Sequence, residues 1–136
     1  MDEKVMVISN VNRFDKTFES DMGTWNTTRA RNDCKAGKHK LWGFDVSELY
    51  NAIQKVEVDQ EKIRRFSSKK VLKELPPVIL VGEHGKVWVI EGHHTIHAHR
   101  RAGKSRILGF VIEEENNESY KVYYNGERIA PWQKGK

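Results

Sequence analysis

The chain has 136 residues, with 24 Lys and Arg against 19 Asp and Glu for a net charge of +5, and 38% of it is hydrophobic. That length suits one small domain able to bury roughly two-thirds of its unfolded surface, and it excludes a large multidomain enzyme. A lone cysteine, Cys34, excludes an intrachain disulfide and a multi-cysteine zinc ribbon, and no apolar run approaches the ~18 residues of a membrane span. The opening Met1-Asp2-Glu3-Lys4 leads into no secretory signal, so the expectation is a cytoplasmic protein with no membrane partner.

In chain order, Lys4 to Val11 (KVMVISNV) is a β-branched run that reads as a first strand or an extended arm. From Asn12 to Lys40 periodicity is lost, and Thr24, Asn26, Thr27, Thr28, Asn32 and Gly37 supply loop chemistry around Trp25; the segment reads as irregular and basic. Phe44 to Leu49 alternates like a short strand. Asp59 is placed to cap a helix through Ile63 and Phe66, and Val71, Leu72 and Leu75 add a helical turn that Pro76-Pro77 stops.

The second half carries stronger signals. Pro77 to Val81, a turn at Glu83 to Lys86, and Val87 to Ile90 predict a β-hairpin. Gly92 breaks the strand, His93 to Ala102 follows a helical pattern, and Gly103 stands where helices end. Ile107 to Ile112 predicts a third strand. Tyr120 to Tyr124 and Glu127 to Ile129 flank Asn125-Gly126 as a second hairpin, and Pro131-Trp132 begins a tail. The class is α+β, a single small domain with a mixed sheet and hairpins.

Three basic stretches stand out: Arg29 to Lys40, Arg64 to Lys73, and Arg100 to Arg106, with the acids gathered at Glu113 to Glu115 and Glu118. A molecule with one basic side suits a polyanion partner, DNA or a nucleotide; ordinary solvated surface is the plainer alternative. Arg29, Arg31, Lys35, Arg100, Arg101 and Lys104 are the candidate nucleic-acid contacts. Trp25, Trp42 and Trp132 suit base stacking, although core packing is the commoner role for tryptophan in so small a chain.

The densest chemical signal is Glu91-Gly92-His93-His94-Thr95-Ile96-His97-Ala98-His99, which holds four of the six histidines. A strand, a glycine and a helix start form a phosphate-binding geometry, because the free N–H groups of the first turn point at an anion. His93 and His94 in that turn suit phosphodiester or phosphoryl chemistry, since an imidazole can donate to a phosphate oxygen or accept a proton. Glu91 is the candidate to orient an imidazole. His93 and His97, four apart, can also chelate a divalent metal, but the Glu that zinc peptidases carry after the first His is here His94.

Together, PPVILVGEHGKVWVIEGHHTIHAHRRAGKSRILGFVIE, with Gly92, Ala98 and Gly103 at its marks, resembles the ParB/sulfiredoxin superfamily, and its Gly-His-His form is similar to the ParB-like nuclease branch. His93 stands where sulfiredoxins have their cysteine, so the resemblance implies no peroxiredoxin repair. It covers about residues 44–113, with 1–43 as a basic arm or lineage-specific extension and 114–136 as a C-terminal hairpin and tail. The resemblance implies a ParB/sulfiredoxin-like core whose phosphate or nucleotide site uses Gly92, His93, His94, Thr95 and Gln54, the last in a loop that faces the motif. It further implies a nuclease with His94, His93 and Glu91 as catalytic residues, a nucleotide-dependent phosphotransferase or nucleotidase, or a non-catalytic DNA- or nucleotide-binding module. A divalent metal or a nucleoside triphosphate as cofactor, a homodimer, and a phage or mobile-element source stay open. One departure is Thr95, where relatives carry Arg: a hydroxyl bonds phosphate but supplies no charge.

Overall fold

Val78 to Val81 are each 0% exposed, which a strand achieves only when both faces of its sheet are covered. This is the centre of the computed structural model, which describes residues 8–9, 14–20, 23–53, 56–124 and 127–128. Strand β5 (Val78–Glu83) pairs antiparallel with β6 (Lys86–Glu91) and parallel with β7 (Arg106–Ile112); β7 pairs antiparallel with β4 (Lys40–Asp45). The result is a mixed four-stranded sheet in the order β4-β7-β5-β6. The β5–β6 hairpin turns at His84 and Gly85, both at positive φ (55° and 76°), the backbone that tight hairpins require.

Alternation along β5 divides the core in two. Val78 and Leu80 join Val46, Leu49, Ile53, Ile96 and Ile107 on the face covered by α2 (Val46–Ala52) and α5 (His93–Arg101). Ile79 and Val81 join Trp25, Ala30, Cys34, Ile112 and Tyr120 on the other face. That second face is covered by β2 (Thr17–Ser20), β3 (Gly23–Asn26), α1 (Thr27–Lys35) and the 3-10 segment Glu114–Tyr120.

The covering of this second face corrects the reading of residues 12–40 as irregular. Strands β2 and β3 pair antiparallel, and Asn26 accepts the Arg29 backbone N–H at 2.9 Å to start α1. Asn and Thr serve helix caps as readily as loops, which is why the segment reads as loop in isolation. Trp25 is 0% exposed, and Phe18, Trp25, Ala30 and Cys34 share one core with β5 and β7. A second correction falls at Phe44 to Leu49. The strand ends at Asp45, whose carboxylate accepts the Glu48 N–H at 3.2 Å, and Val46 onward is helix α2.

Other expectations agree with the structure. Asp59 caps α3 (Gln60–Phe66) by accepting from the Glu61 and Lys62 N–H groups, and α4 (Lys69–Leu72) precedes the prolines. Gly103, at φ 77°, follows the end of α5. Strand β1 (Ile8–Ser9) pairs with β8 (Tyr123–Tyr124), which pairs with β9 (Glu127–Arg128), while Tyr120 sits in the 3-10 segment and not in a strand. The rest of Lys4 to Val11, Gln54, Asn125-Gly126 and Pro131-Trp132 lie outside the described residues. Among the described residues no helix is long and apolar enough to cross a membrane.

Candidate functional site at the start of helix α5

Gly92 joins β6 to α5 at φ 106°, and a Cβ there would come within 2.5 Å of Val78 Cγ1 and 3.0 Å of Val78 Cα. The missing side chain therefore serves packing against β5; it is not an opening toward solvent. The first bond of the helix runs from the Ile96 N–H to the Gly92 carbonyl at 3.0 Å, so the N–H groups of His93, His94 and Thr95 have no partner within the helix. Helices α1 to α4 each start on a side-chain cap, from Asn26, Asp45, Asp59 and Ser68, whereas α5 has none.

Adjacent histidines of this turn part company. His93 is 7% exposed, its ring centroid 4.6 Å from that of Phe18 in β2. Burial pushes its pKa down to about 4, against a hydrogen bond to the Val89 backbone that works the other way. Nε2 of His93 makes no hydrogen bond among the described residues. The expected exposed acid–base role thus meets a neutral ring covered by the hairpin β2–β3, a lid that sequence alone did not reveal.

His94 is partly exposed, and its Nε2 accepts the Asp59 backbone N–H at 3.0 Å. In the neutral ring the proton then sits on Nδ1, which is left as a donor. Its pKa is lowered, first by burial and then by the nearby Lys62. Lys62, in the first turn of α3, is thus a cation near this ring. Thr95 itself is buried, so its contribution to an anion site is its backbone N–H.

The other expected site residues scatter. Glu91 accepts from Arg31 Nε at 3.2 Å, and Arg31 Nη1 donates to the Pro77 carbonyl at 2.7 Å. Glu91 is therefore bound to a guanidinium and not to an imidazole, and Arg31, with 12% of its side chain exposed, ties α1 to β5 and β6 and is not free for nucleic acid. Arg29 Nη1 donates to the Ser119 carbonyl at 3.2 Å, which also makes it a structural tie. Lys35, Arg101 and Lys104 are exposed, and so is Arg100, whose guanidinium lies 4.1 Å from the Tyr50 ring centroid. His97 meets the same Tyr50 edge-on at 5.1 Å. Among the described residues no group of three or more His, Cys, Asp or Glu stands together as a metal-holding cluster, His93 and His97 included. Burial pushes the Cys34 thiol up to about 11, which leaves it an inert core residue.

The buried imidazole makes the fold acid-sensitive. His93 in the unfolded chain protonates near its ordinary value of 6.5, but in the folded chain only near 4. Below pH 6.5 the unfolded state therefore binds the extra proton, and stability present above that pH is lost as pH falls toward 4, by at most about 1.4 kcal/mol per pH unit. His39, His94 and His97, all lowered mainly by burial, act in the same direction. Urea denaturation of wild type and His93→Phe across this window is expected to show a shallower pH slope in the variant. Equal slopes would remove His93 as the cause.

Comparison with protein-family models, with curated proteins and with solved structures returns no match for this chain.

Proposed function

We propose that this chain is a ParB-like phosphate-binding domain directed at nucleic acid, with a backbone phosphate held at the first turn of α5. The observation that carries the reading is the uncapped start of α5, where the His93, His94 and Thr95 N–H groups have no intrahelical partner, beside Lys62 and the Nδ1 donor of His94. Backbone N–H groups and the positive end of the helix dipole favour an anion, and Lys62 adds the charge that Thr95 lacks. Because the lone pair of His94 Nε2 is engaged by the Asp59 N–H, the ring in this arrangement donates to a phosphate oxygen and does not abstract a proton. Holding the phosphate, more than cleaving it, is the activity these contacts support.

One observation favours hydrolysis as a second reading. The lowered pKa of His94 keeps the ring neutral near pH 7, so opening of the contact to Asp59 would free a general base. Binding of labelled DNA over a salt series, run beside a cleavage assay, separates the two. On the binding reading, affinity falls with salt through counterion release. Lys62→Gln and His94→Ala each weaken it roughly tenfold, the size of one charge-assisted hydrogen bond. Cleavage that His94→Ala lowers by about 10²-fold or more would establish the nuclease instead. Absence of binding to both DNA and nucleotides, or wild-type affinity in both variants, would end both readings.

A further inference from the structure

The opposite end of α5 borders a cavity of about 540 Å³ lined by Lys69 and Lys73 of the α4 region, His99 of α5, and Lys104 and Arg106 beyond it, with Leu72 as apolar wall. The four cations come from two of the three basic stretches, more than thirty residues apart in the chain, which the fold turns toward one space. All four are exposed, none forms an ion pair among the described residues, and no Asp or Glu lines the cavity. Like charges gathered without a counter-charge repel one another, and an anion in the cavity relieves that repulsion.

The helix dipole does not account for this arrangement. The carbonyls of Ala98, His99 and Arg100 already accept from the Ala102, Lys104 and Gly103 backbone N–H groups, so this helix end is satisfied. A C-terminal dipole would also draw Lys104 alone, whereas Lys69 and Lys73 belong to another segment. The Arg106 guanidinium lies across Gly43 of β4, where a Cβ would stand 3.0 Å from Nη2.

Two features define the ligand beyond its charge. A second cavity of about 170 Å³ shares Leu72, Lys73 and His99 with the first and continues over Pro76, Pro77 and Leu108, so the basic chamber borders an apolar one. His99 Nδ1 lies 2.8 Å from the Thr95 carbonyl, which can only accept. In the neutral ring Nε2 is then an acceptor for a ligand hydroxyl or amino group. We propose that this cleft binds a nucleotide unit, free or within a strand, with its phosphates among Lys69, Lys73, Lys104 and Arg106 and its sugar and base over the apolar extension. The cleft is separate from the first turn of α5 and does not rest on the function proposed there.

The test is calorimetric titration of ADP, inorganic pyrophosphate and a short single-stranded DNA into wild type, the double variant Lys69→Gln/Lys104→Gln, Lys73→Gln, and, as a control, Lys86→Gln at the exposed start of β6. ADP or the DNA strand should bind wild type and Lys86→Gln equally, and the double variant at least tenfold more weakly, with a smaller loss in Lys73→Gln. The tighter of these two ligands identifies the source as free nucleotide or strand. Pyrophosphate should bind more weakly than ADP, because it cannot use the apolar extension. The melting temperature of each unliganded variant confirms its fold, and these exposed lysines are expected to leave it unchanged. Failure of all three probes to bind, unchanged affinity in the double variant and in Lys73→Gln, or an equal loss in Lys86→Gln would overturn the proposal. Pyrophosphate binding as tight as ADP would overturn its apolar half.

Discussion

Gly92→Ala is expected to destabilise the protein by about 3 kcal/mol or more and to abolish the anion binding proposed at the start of α5. Two costs combine. At φ 106° an L side chain is strained, and the new Cβ would lie 2.5 Å from Val78 Cγ1 and 3.0 Å from Val78 Cα. Val78 cannot yield, because it is 0% exposed in the central strand. Gly103 provides the comparison: its φ is also positive, 77°, but a Cβ there meets nothing within 4 Å. Gly103→Ala should therefore cost only about 1–2 kcal/mol, the backbone share. Urea denaturation of the pair measures the difference, and similar losses in both would show that the contact with Val78 can relax.

Trp25→Ala is expected to cost about 3–5 kcal/mol, the range for emptying a buried aromatic site. The side chain is 0% exposed, packed with Ile79, Ile112 and Tyr120, and its Nε1 donates to the Ser20 hydroxyl at 3.2 Å. Lys121, which lies 5.7 Å from the Trp25 ring centroid, also pairs with buried Glu83 at 3.3 Å, so the loss reaches the contact between β5 and the 3-10 segment. For a domain with a total stability of roughly 5–15 kcal/mol, that is a large share. Thermal melting of Trp25→Ala, together with a chain lacking residues 1–35, tests the assignment of this segment to the core. A truncated chain that melts as cooperatively and as high as the whole would restore the view of it as an appended arm.

Both variants bear on what a sequence can reveal. The β5–β6 hairpin, the break at Gly92, the extent of α5 and its stop at Gly103 are legible because each depends on local chemistry: turn residues, positive φ and helical spacing. The same holds for Asp59 as a cap. Strands β2 and β3 and helix α1 are not legible. Their caps are drawn from residues that also make loops, and the burial of Trp25 depends on Ile79 and Ile112, far away in the chain.

For the site, the sequence by itself determined where the first turn of α5 lies and that it is rich in imidazole, since a strand, a glycine and a helix in succession require nothing distant. Only the tertiary structure decided what each imidazole faces. Successive helical residues point about 100° apart, so packing of α5 on the sheet sends His93 under Phe18 and His94 toward Asp59 and Lys62. The same holds for charge. Arg31 and Glu91 neutralise each other across sixty residues, while Lys69, Lys73, Lys104 and Arg106 converge on one cavity, because the range of an ion pair is set by distance in space and not along the chain.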